Sequence, residues 1–291
     1  MTGWIKSQCM ARKKSALEEE EKKPQKSQQL ILKHTEEAAL TQLNRSSLGL
    51  MLSGLSGGLD IGFSVLMMAV VLSLFKGVFP EPVVHVLVAN MYPLGFMFVI
   101  LGRSELFTEH TTLAVLPVLQ GIAPIKKLLR LWAVVYVSNI VGGLIFTLIL
   151  AYFADSLHLA KDWAFATISI EATANSWKNL LFTAALAGWL MGLLAWLVAA
   201  ARETISQIIL IWIITACIGV AGLAHSIVGN IEASVGWFTG NISFGQYIGF
   251  LLPVTLGNII GGVFFVAILK YSHTLFSGKE EIVDLADHEV R

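Results

Sequence analysis

Charge is scarce in this chain, and most of it lies towards the two ends. Charged residues make up 14% of the 291 positions, whereas a soluble domain carries about 25%. Hydrophobic residues make up 55%. The scarcity excludes an ordinary water-soluble domain and places the chain in the membrane class. A formal net charge of zero leaves no electrostatic footprint for a nucleic-acid partner. Cysteine is nearly missing too. Cys9 falls in a charged tail and Cys217 in an apolar run, which argues against a disulfide framework. Met1–Lys14 has basic residues but no apolar stretch of signal-peptide length, so the first span is expected to act as its own targeting signal. H-E-x-x-H, a Walker loop and C-x-x-C are all absent. His225-Ser226 is sequence adjacency, not a triad. No enzyme, cofactor or metal constellation is visible.

Long apolar runs are abundant. A hydrocarbon core about 30 Å thick needs roughly 20 apolar residues as helix. Six segments meet or share that requirement: Leu48–Leu74, Val83–Leu119, Leu128–Phe153, Leu180–Ala200, Ile208–Trp237 and Ile248–Leu269. The expected organisation is a tail with an amphipathic helix over 1–46, a six-helix pore domain over 47–274, and a second tail over 275–291. Residues 1–25 read as a solvated tail. For Lys26–Arg45 two readings stand, an amphipathic helix on the membrane surface or a solvated linker. Lys126, Lys127, Arg130 and Arg202 sit in the loops after the second and fourth spans. By the positive-inside rule both tails face the cytoplasm, with Trp163 and Trp177 at the outer interface and Trp132 at the inner one.

Two of the runs are interrupted. Gly102-Arg103-Ser104-Glu105-Leu106-Phe107-Thr108-Glu109-His110 breaks the second, and Gly219-Val220-Ala221-Gly222-Leu223-Ala224-His225 breaks the fifth. Irregular backbone at membrane depth is tolerated only where protein buries it or it lines a water-filled cavity. Interruptions at corresponding places in two halves point to a transport site. The halves do repeat: Asn139-Ile140-Val141-Gly142-Gly143 is echoed by Asn258-Ile259-Ile260-Gly261-Gly262, 119 positions on, and Thr108 and His225 are 117 apart. Three spans per half gives an inverted 3+3 repeat, about 47–153 and 179–274, with its second and fifth helices broken. Glycine runs such as Gly54–Gly58 serve close helix packing.

Thr108 is expected just before a half-helix His110–Leu119, capping it or offering a hydrogen bond to a solute. His225 opens the second half-helix, whose N-terminus favours negative charge. Asp60 is either a relay or a paired carboxylate. Glu105 and Glu109 are expected to pair with Arg103 and hold the loop.

At these residues the sequence resembles a known family. Ser104-Glu105-Leu106-Phe107-Thr108 looks like the signature of the formate/nitrite transporters, and Ala221–Ile227 resembles their central-histidine segment, closest to the YfdC-like branch. The similarity covers about Leu48 to Tyr271. It implies an all-α, aquaporin-like membrane fold without Asn-Pro-Ala boxes, assembled as a homopentamer in the bacterial inner membrane. It implies that Thr108 and His225 flank the narrowest part of the pore. Phe96, Leu106 and Ile218 should line a cytoplasmic constriction, and Tyr92, Phe107 and Met191 a periplasmic one. The chain also departs from the pattern. Ala224 and Gly229 stand where the family usually has Glu and Asn, with Asn230 adjacent. Gly188 replaces an Asn, and Ala172 replaces an entrance lysine for which Lys178 is a possible substitute. The expected function is passage of a small monovalent anion such as formate or nitrite, as the neutral acid or with a proton. A pore for water or a neutral solute, and a non-conducting membrane scaffold, are the alternatives.

Overall fold

A computed structural model describes residues 26–269 and 271–272. The charged tails over 1–25 and 275–291 lie outside the described residues. Those described are helical throughout apart from short connections and one isolated bridge between Lys76 and Phe79. The helices are α1 (Gln28–Asn44), α2 (Ser47–Phe75), α3 (Glu81–Ala89), α4 (Pro93–Gly102), α5 (Phe107–Leu113), α6 (Leu116–Leu119), α7 (Ile125–Phe153), α8 (Asp162–Thr173), α9 (Trp177–Ala200), α10 (Thr204–Val220), α11 (Ser226–Phe238) and α12 (Phe244–Ile260). A π-helical stretch, Gly261–Ile268, continues α12. Among the described residues five helices are long and apolar enough to cross a membrane, α3 and α4 together counting as one. Apolar α10, with 17 residues, spans about 25 Å at 1.5 Å per residue.

The tightest helix pairs are α2 with α7 and α9 with α12, and glycine sets both. A Cβ on Gly58 would stand 2.3 Å from the Asn139 carbonyl oxygen, and one on Gly142 would stand 2.4 Å from that of Leu55. The second pair has the same contacts. A Cβ on Gly188 would meet the Asn258 oxygen at 2.3 Å, and one on Gly261 the Ala185 oxygen at 2.0 Å. Between helices in lipid, where apolar burial gives little drive, such close backbone approach is what association rests on. The outward faces carry Val137, Val141, Ile149, Phe182 and Leu252, all exposed and apolar.

Two boundaries differ from the sequence expectation. Val83–Leu119 pauses three times rather than once. Pro93 lacks an N–H, so the chain turns at Asn90–Tyr92 before α4, and a further pause separates α5 from α6. The half-helix expected from His110 begins at Phe107 and ends at Leu113, which puts Thr108 in its first turn. The α1 helix does form. It buries Leu30, Ile31, Thr35, Ala39 and Leu43 against α6, α7 and α9, so one face is docked on protein. Lys127 Nζ reaches Asn44 Oδ1 at 2.5 Å, and Arg130 Nη2 donates to the carbonyls of Leu43 and Arg45 at 3.0 and 2.9 Å.

The glycine contacts carry a prediction. Gly188→Asn, the substitution towards the family pattern, forces overpacking against the Asn258 backbone at a cost of about 1–3 kcal/mol. It should lower the thermal unfolding midpoint of the detergent-solubilised protein. Gly249→Ala, with nothing within 4 Å of the added carbon, should leave that midpoint unchanged or raise it, since alanine favours helix.

Candidate functional site: two interrupted helices meeting at a threonine–histidine pair

Two asparagines build the centre. Asn139 Oδ1 accepts the backbone N–H of Phe107 at 2.9 Å, and its Nδ2 donates to the carbonyls of Gly54 (2.7 Å) and Glu105 (2.9 Å). Asn258 repeats the set: Oδ1 accepts from Ser226 N at 2.8 Å, and Nδ2 donates to Ala184 (2.9 Å) and Ala224 (3.1 Å). Each amide therefore ties both lips of one interruption to a neighbouring helix. Buried backbone groups without partners are costly, and these two side chains supply the missing partners.

The same hydrogen bonds fix the correspondence between the halves. Glu105, Leu106, Phe107, Asn139 and Gly142 match Ala224, His225, Ser226, Asn258 and Gly261, every pair 119 positions apart. Leu106 (φ −116°, ψ 129°) and His225 (φ −118°, ψ 128°) have the same extended backbone before their helices. The counterpart of His225 is thus Leu106 and not Thr108, whose own counterpart is Ile227. Thr108 and His225 are partners in contact instead: Thr108 Oγ1 lies 2.8 Å from His225 Nε2. Both are buried. His225 Nδ1 accepts the N–H of Val228 at 3.3 Å, which assigns the proton of a neutral ring to Nε2. Nε2–H then donates to Thr108, and the Thr108 hydroxyl hydrogen has no acceptor among the described residues. Thr108 does not cap its helix.

A cavity of about 880 Å³ reaches Ala224, the residue before His225, from the face carrying Lys76 and α8. Tyr92, Ile218, Gly219 and Ala224 belong to its inner wall. The Tyr92 ring stacks on Phe96 at 5.5 Å, and Phe96 meets the His225 ring edge-on at 5.1 Å. A ladder of three rings therefore runs from the cavity to the histidine. Ile218, expected beside Phe96 and Leu106, shares the cavity with Tyr92. Phe107 packs against Trp132 and Tyr136 of α7 at 6.2 and 4.8 Å and is not in the cavity wall. Leu106 and Met191 are buried.

The remaining candidates have other partners. Glu105 is buried, with Arg45 Nη1 at 3.1 Å on one oxygen and His110 Nε2 on the other. It does not pair with Arg103, which is exposed and left-handed (φ 59°). Glu105 thus fastens the α1–α2 junction to the interruption. Asp60 accepts from Ser56 and Ser104, both at 3.3 Å. Asn230 donates to Ile140 O (3.3 Å) and accepts from the Tyr247 hydroxyl (2.7 Å), a packing role between helices. Lys178 is exposed in the first turn of α9 and outside the cavity wall. Two departures have a steric reason. A Cβ at Gly229 would stand 2.4 Å from the Phe250 ring, and one at Gly188 would strike the Asn258 carbonyl. Glu232, which lines the cavity, is absent from the residues singled out in the sequence. A lone glutamate on an apolar helix carries no motif that would have marked it.

Comparison with known proteins bears on the family and the fold. The family profile described as Formate/nitrite transporter matches residues 29–272. The chain is 31% identical over 250 residues to the Inner membrane protein YfdC of Escherichia coli, covering 83% of this chain and 77% of that one. It is also 31% identical to a Probable formate transporter of Methanothermobacter thermautotrophicus, over 76% of this chain and 87% of the other. Among solved structures, an FNT family ion channel superposes with a TM-score of 0.75 at 22% identity, covering 84% of this chain and 98% of that one. A pentameric formate channel with formate bound gives 0.64 at 24% identity, covering 79% and 98%.

The asparagine clamps predict matched losses. Asn139→Ala and Asn258→Ala each strand one buried N–H and two carbonyls, at about 1–3 kcal/mol per unsatisfied group. Both variants should show similar drops in detergent unfolding midpoint, larger than that of Thr255→Val, which removes one hydroxyl contact to Tyr136.

Proposed function

Because the chain belongs to the formate/nitrite transporter family, we propose that it is a membrane channel for a small monovalent weak acid, of the formate or nitrite kind, crossing as the neutral acid. The Thr108–His225 contact carries this reading. The hydroxyl hydrogen of Thr108 points to no protein acceptor among the described residues, so an oxygen of the solute can take it. The positive end of α11 lies at the same place and favours the partly negative oxygen of a solute held there. A carboxylate or nitrite in this apolar constriction loses its hydration, which favours its protonated form. A proton delivered from water or through His225 completes the neutral acid, and histidine is the residue type suited to that exchange.

In this reading the six apolar segments form two inverted three-helix repeats, with breaks in the second and fifth spans. The 119-residue correspondence of the clamps supports it. The chain assembles as a homopentamer, in keeping with the pentameric state of the related formate-bound channel. It resides in the inner membrane, as the name of the YfdC relative states for that protein. Both tails face the cytoplasm, since Lys126, Lys127 and Arg130 cluster on the α1 side. A second reading, a pore for a neutral solute, draws on one observation: the cavity wall carries Glu171 and Glu232, and Ala172 stands at the expected entrance lysine.

The test is uptake of formate, nitrite, acetate, lactate and hydrosulfide into proteoliposomes, followed as internal pH change. His225→Phe should abolish flux while leaving the oligomer intact on size exclusion. Thr108→Val, which removes one hydrogen bond worth about tenfold, should slow flux by about that factor. Unchanged flux in His225→Phe refutes the histidine's role. Flux that is insensitive to outside pH favours the neutral-solute pore.

A further inference from the structure

The cavity that ends at Tyr92 and Ala224 carries more acidic than basic side chains. Glu232 projects into it from α11 and Glu171 from α8, near enough for their charges to repel each other. Neither carboxylate has a hydrogen-bond or ion-pair partner among the described residues. Tyr92, 4% exposed, also lines the cavity. Its hydroxyl likewise has no protein partner among the described residues and lies near Glu232. The charged and titratable groups around Glu232 are few. Besides Glu171 and Tyr92 they are Lys76, Glu81 and His85 further along the wall. Lys76 is drawn onto the Trp163 ring at 5.0 Å, and His85 Nε2 is held at the Val220 carbonyl at 2.9 Å. From α12 comes Tyr247, whose hydroxyl is committed to Asn230. Helices α5 and α7 contribute nothing to this wall, and α2 only Met68 and Leu72.

We propose that Glu232, with Tyr92, determines which form of the solute is admitted from this face: the uncharged acid that can donate a hydrogen bond, while the anion is repelled. In its ionised form Glu232 presents only acceptors, so it binds a solute O–H and opposes a solute O⁻. The Tyr92 hydroxyl, free of protein partners among the described residues, supplies a hydrogen bond to the second oxygen of that solute. Passing the acid from this pair along the Tyr92–Phe96–His225 ladder requires no charge to cross the rings. The inference rests on the weak-acid reading above and adds the selecting group to it.

The experiment measures initial formate uptake into vesicles of the full-length protein at outside pH 5.5, 6.5 and 7.5. The unaltered protein should slow about tenfold per pH unit, following the neutral-acid fraction well above the acid's pKa. Glu232→Gln should raise the rate at pH 7.5, where the ionised form is most populated of the three, by about tenfold and change that at pH 5.5 little, which flattens the slope. Tyr92→Phe should lower the rate at all three pH values without changing the slope. Glu171→Gln, at an exposed position, should flatten the slope less, and serves if Glu232→Gln fails to assemble. Slopes in the two glutamate variants equal to that of the unaltered protein overturn the selecting role while leaving the weak-acid reading intact. No weak-acid flux in the unaltered protein overturns both.

Discussion

The structure depends on a constraint that lipid imposes: a helix interrupted inside the bilayer exposes N–H and C=O groups that nothing in the hydrocarbon can satisfy. Asn139 and Asn258 resolve it, each with one acceptor and two donated bonds. Everything around them follows from bringing an amide side chain to those places. The helices carrying them must approach α2 and α9 closely, which is why glycine stands at 58 and 188. The lips of the two interruptions must lie at matching heights, which brings Thr108 to His225. The histidine is held by a scaffold that has its own reason to be there.

Much of this was legible in the sequence, because apolar length and repeated motifs are written in residue types. The Asn-x-x-Gly-Gly echo and the two interruptions could be read, and Thr108 and His225 could be singled out, though as counterparts rather than as partners in contact. The register could not. Thr108 and His225 differ by 117 positions and the asparagines by 119, and the asparagine hydrogen bonds together with the backbone torsions show that Leu106 is the residue equivalent to His225. The partner of Glu105 was hidden for another reason. Arg103 is two positions away, but its left-handed backbone leaves it exposed, and Arg45, 60 residues distant, takes the contact. Interruptions place charge by three-dimensional closure, which adjacency does not encode. Glu232 was missed because a glutamate on an apolar helix carries no motif and acquires meaning only from the cavity it faces.

The departures from the family pattern are not scattered losses. Gly188 and Gly229 stand where a larger side chain would strike the Asn258 backbone and the Phe250 ring. Ala224 is the counterpart of Glu105, so only the first interruption retains a carboxylate there, and that carboxylate ties in the α1–α2 junction. On the second side the acidic groups are Glu171 and Glu232, in the cavity wall.

The Thr108–His225 bond has a consequence for protons. Protons cross membranes readily wherever an unbroken file of water lets them hop from molecule to molecule. Here the file would have to pass two side chains bonded to each other, with the Phe96 ring against the histidine. The Thr108–His225 contact and the Phe96 ring leave no room for a continuous water file between them, so in the proposed reading a solute must compete for the threonine before anything follows it.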